Sequence, residues 1–174
     1  MGHFERKVNG KLLYDGKVVK LHLDEVELEN STHAMREYIT HNGGSTVIAS
    51  TEDGIIFVEQ FRYAYGETVL ELPAGKRDGD EDPMVTARRE LEEETGYFAH
   101  KLTFLGEVYP SPGYTNERLY LYRAENLEKR SSHLDEDEFL SVRYIKEEKA
   151  KEMVMSGEIK DAKTLIALLK YFNR

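Results

Sequence analysis

The apolar residues of this chain recur at every second position more often than at helical spacing, and the two kinds of run do not alternate one for one. Residues 17–28, KVVKLHLDEVEL, carry Val19, Leu21 and Leu23 in alternation and resume it at Val26 and Leu28. Glu29 to Thr32 reads as a turn and residues 35–41 as another strand. STVIAS and IIFVEQFRY, joined by the turn residues of TEDG, predict a hairpin, and VLELPAG predicts a short strand ending at Pro73 and Gly75. KLTFLGEVY, RLYLYRA and FLSVRYI add three strands. Helices are expected near 83–95, 146–155 and 161–172, the last with Ala162, Leu165, Ile166, Leu169 and Phe172 on one face. Such a pattern predicts an α/β chain of the α+β kind, a mixed sheet with helices packed on it.

The 174 residues suffice for one domain with a sizeable core, although about the first 45 could pack partly outside it. A net charge of −9 argues against nucleic acid or an anionic membrane as partner, so an anionic substrate would need local positive charge. There are no cysteines, which excludes disulfides, thiolate zinc sites and cysteine nucleophiles. The opening MGHFERKVNG lacks the apolar run of a signal peptide, and no stretch approaches a membrane span; a cytoplasmic protein is expected. The six histidines show no HExxH spacing, Ser111 has no G-x-S-x-G context, and no P-loop is present.

The 83–95 helix has firm ends. Asp82 is a capping residue, Pro83 suits the first turn, and Gly96 stands where helices commonly stop. At about 100° per residue, Met84, Ala87, Arg88, Leu91 and Thr95 project to one side, mostly the core stripe. Glu90 and Glu94 share another side, their Cβ atoms about 6 Å apart, with Glu93 beside them. Arg89 and Glu92 point elsewhere. A bare Glu-Glu-Glu run is ordinarily a solvated face, but carboxylates one helical turn apart also suit a hard divalent cation, and the backbone near Ala74 and Gly75 could add a carbonyl. A calcium loop beginning at Asp78 is rejected: its sixth position holds Pro83 instead of Gly, and its twelfth Arg89 instead of Glu.

Gly75, Glu81, Arg89-Glu90-Leu91, Glu93-Glu94 and Gly96 together resemble the Nudix box, with Tyr97 in place of the usual aliphatic residue. EQFR at 59–62, ELPAG at 71–75, SPGYTNE at 111–117, LDEDEF at 134–139 and DAKT at 161–164 resemble the ADP-ribose pyrophosphatase branch. The resemblance implies a Nudix α/β/α sandwich over 43–174, preceded by a dimer-forming β region over 1–42. It further implies magnesium-dependent hydrolysis of ADP-ribose to AMP and ribose 5-phosphate, with manganese as a substitute ion. The alternatives are a related sugar-nucleotide pyrophosphatase, for example one for GDP-mannose, or a non-catalytic ligand sensor. A nucleoside diphosphate sugar is thus the implied partner.

Site roles follow from the same resemblance. Glu90, Glu94, Glu138 and the Ala74 carbonyl are metal ligands; Glu136 is the general base, with Glu93 a secondary ligand or orienter. Arg89 pairs with a box carboxylate, Glu81 or Glu93. Arg62, which follows a strongly apolar strand, reads either as an ordinary surface arginine or as a fork onto phosphate oxygens; Arg36 and Glu37 resemble a substrate-facing pair from the N-terminal region. Ser111, Gly113 and Glu117 grip the terminal ribose. In physical terms, two close carboxylates cost about 3 kcal/mol at an effective dielectric near 20, and a cation between them reverses the sign.

Overall fold

The structure, a computed structural model, describes residues 3–134 and 138–173. They fall into two compact units. One runs to Asn42 and includes Ser111–Glu117; the other takes Gly43–Pro110 and the chain from Arg118 onward.

The first unit is an antiparallel sheet of β1 (Arg6–Asp15), β2 (Lys20–Glu27) and β3 (His33–Thr40), in that order. The segment 111–117 joins the free side of β3, where the Ile39 N–H donates to the Tyr114 carbonyl at 2.8 Å and the Asn116 N–H to the Ile39 carbonyl at 3.2 Å. The sequence reading placed this segment with the larger domain; its backbone bonds tie it to the smaller one. The resemblance implied a β region over 1–42, but β1 was not read as a strand of its own. All ten of its residues are exposed, so it has no inside–outside alternation to read.

The second unit holds two sheets. β8 (Ala74–Lys76), β4 (Gly44–Ile48), β10 (Leu119–Lys129) and β9 (Tyr97–Val108) form one, with β4 and β10 parallel and the other pairs antiparallel. β11 (Leu140–Ile145), β6 (Gly54–Arg62) and β5 (Ser50–Thr51) form the other, with β7 (Glu67–Glu71) also on β6. The expected hairpin is therefore much shorter than read: β4 belongs to the first sheet, and only Ser50 and Thr51 pair with β6. VLELPAG likewise divides. Pro73 has no N–H to give a ladder, so the chain leaves β7 there and joins β4 as β8, while the Pro73 carbonyl accepts from the Val47 N–H at 2.9 Å.

Three helices cover these strands: α1 (Pro83–Thr95), α2 (Glu147–Ser156) and α3 (Ala162–Phe172). Strand alternation decides which helix meets which face. Val47, Ile56, Ala99 and Tyr122 pack with Ala87 and Leu91 of α1. Their neighbours Ile48, Ile55, Phe57 and Leu121 pack with Ala150 and Met153 of α2 and with Ala167 and Leu168 of α3. The unit is an α/β/α sandwich, as the resemblance implied.

Leu91 is fully buried at the centre of the α1 contact. We expect Leu91→Ala to lower the unfolding free energy by about 2–5 kcal/mol in urea titration, with an unchanged denaturant slope. A loss under about 1 kcal/mol would show that α1 is not seated by this residue.

Candidate active site

α1 is built to present its acidic side inward. The Asp82 carboxylate caps the first turn by accepting from the Met84 N–H at 2.8 Å, and Pro83 begins the helix without losing a bond. Gly96 ends it at φ 69°, a left-handed conformation that favours glycine. The buried residues are Thr86, Ala87, Leu91, Glu94 and Thr95. Met84, expected in the core stripe, is instead 38% exposed. Thr86 takes the inner position of that first turn, where its hydroxyl donates to the Glu81 carboxylate at 2.7 Å.

Arg89 ties the acidic cluster together. Its guanidinium donates to Glu81 at 2.9 and 3.2 Å, to Glu90 at 2.8 Å, to Glu93 at 3.0 Å and to the Lys76 carbonyl at 3.2 Å. Every N–H direction of the fork is engaged, so Arg89 is structural rather than free for an incoming anion. The pairing expected with Glu81 or Glu93 is made with both. Arg89 holds the Glu81 carboxyl down at about 2, helped by the Thr86 hydroxyl.

Glu90 and Glu94 behave in the opposite way. Burial pushes the Glu90 carboxyl up to about 7 even with Arg89 beside it, and the charges of Glu93 and Glu138 push it further in the same direction. Glu94 is 3% exposed, and burial together with Glu90 and Glu138 raises it well above the usual carboxylate range. Two groups oppose this: the Ala74 N–H, which donates to Glu94 at 3.0 Å, and the charge of Arg62. Gly75 leaves the Glu90 carboxyl its place, since a Cβ there would stand 2.0 Å from the carboxyl carbon and the Glu90 side chain would have to move. Glu138 reaches the same locality and accepts from the Gln60 amide at 3.2 Å. Among the described residues, no three acidic or histidine side chains are already gathered into a finished metal-binding set. Glu136 lies outside the described residues.

The remaining sequence-derived residues divide between the units. Arg62 is in the larger one, with its fork on Glu71: Nε to Oε1 at 2.6 Å and Nη2 to Oε2 at 2.8 Å. In the smaller unit, Arg36 donates to Glu5 at 2.9 Å, and Glu37 is exposed opposite Leu23. The Ser111 carbonyl closes a turn by accepting from the Tyr114 and Thr115 N–H groups, Gly113 has open space around it, and Glu117 stands 3.4 Å from His41. The reading of the sequence missed Glu71 and Lys163, which share a buried ion pair. A lone charge inside VLELP was the signal, because a charge in a buried strand needs a partner.

Comparison with known proteins bears on what this arrangement does. A NUDIX domain model matches residues 40–168. The chain is 44% identical over 169 residues to the ADP-ribose pyrophosphatase of Bacillus subtilis (strain 168), covering 94% of this chain and 90% of that one. It is 41% identical over 167 residues to the methanol dehydrogenase activator of Bacillus methanolicus, with the same coverage. Against the GDP-mannose pyrophosphatase of Salmonella typhimurium it is 35% identical over 144 residues, covering 76% of this chain and 75% of that one. A crystal structure of an ADP compounds hydrolase superposes with a TM-score of 0.86 at 20% identity, over 97% of this chain and 92% of the other, a likeness of fold. The matched domain contains α1 with all of its carboxylates, and the chain belongs to the Nudix hydrolase family.

Proposed function

We propose that this enzyme hydrolyses the pyrophosphate of ADP-ribose to AMP and ribose 5-phosphate, using a divalent cation, magnesium or alternatively manganese. The observation that carries the reading is the pair Glu90 and Glu94. Glu94 is buried and Glu90 half-buried one helical turn before it, both with carboxyls raised above their ordinary range, and Arg89 donates to Glu90. An all-oxygen donor set of Glu90, Glu94, Glu138 and the Ala74 carbonyl suits a hard cation. Such an ion, when bound, would neutralise the pyrophosphate and make water a stronger acid.

The chain's own groups divide the remaining work. Glu136 takes the proton of the attacking water, and Glu93, already tethered to Arg89, orients the cluster. Arg62 offers phosphate the edge of its guanidinium that Glu71 does not occupy. Ser111, Gly113 and Glu117 hold the terminal ribose, and Arg36 with Glu37 faces the substrate. The similarity to the Bacillus subtilis enzyme favours ADP-ribose; the Salmonella relative keeps GDP-mannose as the second reading.

The test is a product assay over a panel of nucleoside diphosphate sugars. ADP-ribose with magnesium should give AMP and ribose 5-phosphate at the highest kcat/KM, and Glu94→Gln should abolish nearly all turnover even at saturating magnesium. Preference for GDP-mannose would select the second reading, and wild-type activity in Glu94→Gln would remove the ligand assignment.

Glu136 and Glu138 should respond differently to substitution. Glu136→Gln removes a proton acceptor and should lower kcat by about 10²–10⁴-fold with little change in metal affinity. Glu138→Gln weakens the ion and should be partly recovered by raising magnesium. A magnesium titration of each variant decides; rescue of Glu136→Gln alone would exchange the two roles.

A cytoplasmic homodimer formed through residues 1–42 completes the proposal. Its support is β1, an edge strand that exposes Val8, Leu12, Leu13 and Tyr14. Sedimentation should give twice the chain mass, and removal of residues 1–42 should cost both association and activity. A fully active monomer would contradict this.

A further inference from the structure

The DAKT segment at the start of α3 carries chemistry that the proposed reaction leaves unused. Asp161 caps the helix by accepting from the Thr164 N–H at 3.0 Å, and its other oxygen accepts from Lys163 Nζ at 3.0 Å. Lys163 also donates to Glu71, which in turn holds the Nε and Nη2 of Arg62. Thr164 accepts from the Leu72 N–H at 2.8 Å, so the strand carrying Glu71 is pinned to the helix at the next residue. Glu71 is 3% exposed and the Lys163 side chain 15%, whereas the Arg62 side chain is 39% exposed. The line of bonds therefore runs from a helix cap, through two buried charges, to a guanidinium that reaches solvent.

The shape of the Arg62 contact defines what is left over. Glu71 occupies the Nε–Nη2 edge, which leaves Nη1 and the second Nη2 hydrogen, the edge that matches two oxygens of a phosphate. The charge of Arg62 is also felt by Glu94, which places the guanidinium within electrostatic range of the acidic cluster.

We infer that Glu71 and Lys163 are positioning residues that fix Arg62 with its free edge turned to the substrate's phosphates, and that the first turn of α3 is the anchor of this device. The inference rests on the pyrophosphatase reading. Lys163 itself does not touch substrate; it restrains Glu71, and Glu71 restrains Arg62. An arginine held in this way loses less rotamer freedom on binding, and a misplacement near 1 Å costs about 10²-fold in rate.

A double-mutant cycle on the full chain tests this, with ADP-ribose and magnesium. Arg62→Ala should lower kcat/KM by about 10²-fold, and Lys163→Met, similar in length but uncharged, by about 10-fold. In the Arg62→Ala background, Lys163→Met should change kcat/KM by less than about threefold, because nothing remains to be positioned. Independent, multiplicative losses would overturn the inference and make Lys163 a direct electrostatic contributor. An unaffected Arg62→Ala would instead overturn the phosphate-ligand reading of Arg62.

Arginine side-chain NMR supplies a readout that needs no turnover and no substrate. The Arg62 Nε–H signal should be sharp and slow to exchange in the wild type and broadened or fast in Lys163→Met, with the melting temperature recorded alongside. An Nε–H signal identical in the two proteins would overturn the inference whatever the kinetics show. Glu71→Gln would leave the Arg62 fork without its carboxylate and Lys163 with Asp161 alone, and so threatens folding, which is why Lys163→Met and its milder companion Lys163→Gln carry the test.

Discussion

Placing two carboxylates out of water, one helical turn apart, is unfavourable twice over: each loses hydration and each repels the other. Much of the larger unit can be understood as the means of holding Glu90 and Glu94 in that condition. Leu91, between them in sequence, is fully buried against Val47, Ile56 and Ala99 of the strands and forbids α1 from rotating its acidic side into solvent. Gly75 leaves the room that the Glu90 carboxyl occupies, and the Ala74 N–H fastens Glu94. Arg89 provides one compensating charge but distributes it over Glu81, Glu90 and Glu93. What remains is a pair of carboxyls whose ionisation is disfavoured, and a divalent cation would relieve that.

The sign of the energetic consequence is definite. A carboxyl whose folded pKa is raised contributes stability at low pH and loses it as pH rises through the folded value. For Glu90 that loss is complete above about 7, so near neutrality the cluster weighs against the fold unless a cation is bound. Glu81 is the reverse case, held at about 2, with its contribution present above the ordinary glutamate range and lost only in strong acid. One arginine thus stabilises the structural carboxylate fully and the buried one only in part. The same helix face keeps a permanent ion pair beside a site left short of positive charge.

Local signals made α1 legible in the sequence: Asp82, Pro83 and Gly96 bracket it, and the three-and-four spacing separates Leu91 from Glu90 and Glu94. β6 and β9 to β11 were legible as strand-forming runs between turn residues, and the sandwich followed from the resemblance. The failures have physical causes. β1 is exposed throughout and carries no period. The division of VLELPAG depends on partners, β6 for one half and β4 for the other, that no local pattern names. Glu71 pairs with Arg62, nine residues away, and with Lys163, ninety-two away, so its burial as an ion pair was set by tertiary contact alone.

The most direct measurement of the central claim is the proton released when magnesium binds, obtained by calorimetric titration of the substrate-free protein in buffers of different ionisation enthalpy. If Glu90 holds a proton near neutrality because no cation offsets its burial, magnesium should displace it. The account predicts clear proton release at pH 6.5 that diminishes toward pH 8.5, where Glu90 is already ionised, and a reduced release in Glu90→Gln. Tight magnesium binding without proton release at pH 6.5, or release unchanged in Glu90→Gln, would contradict it.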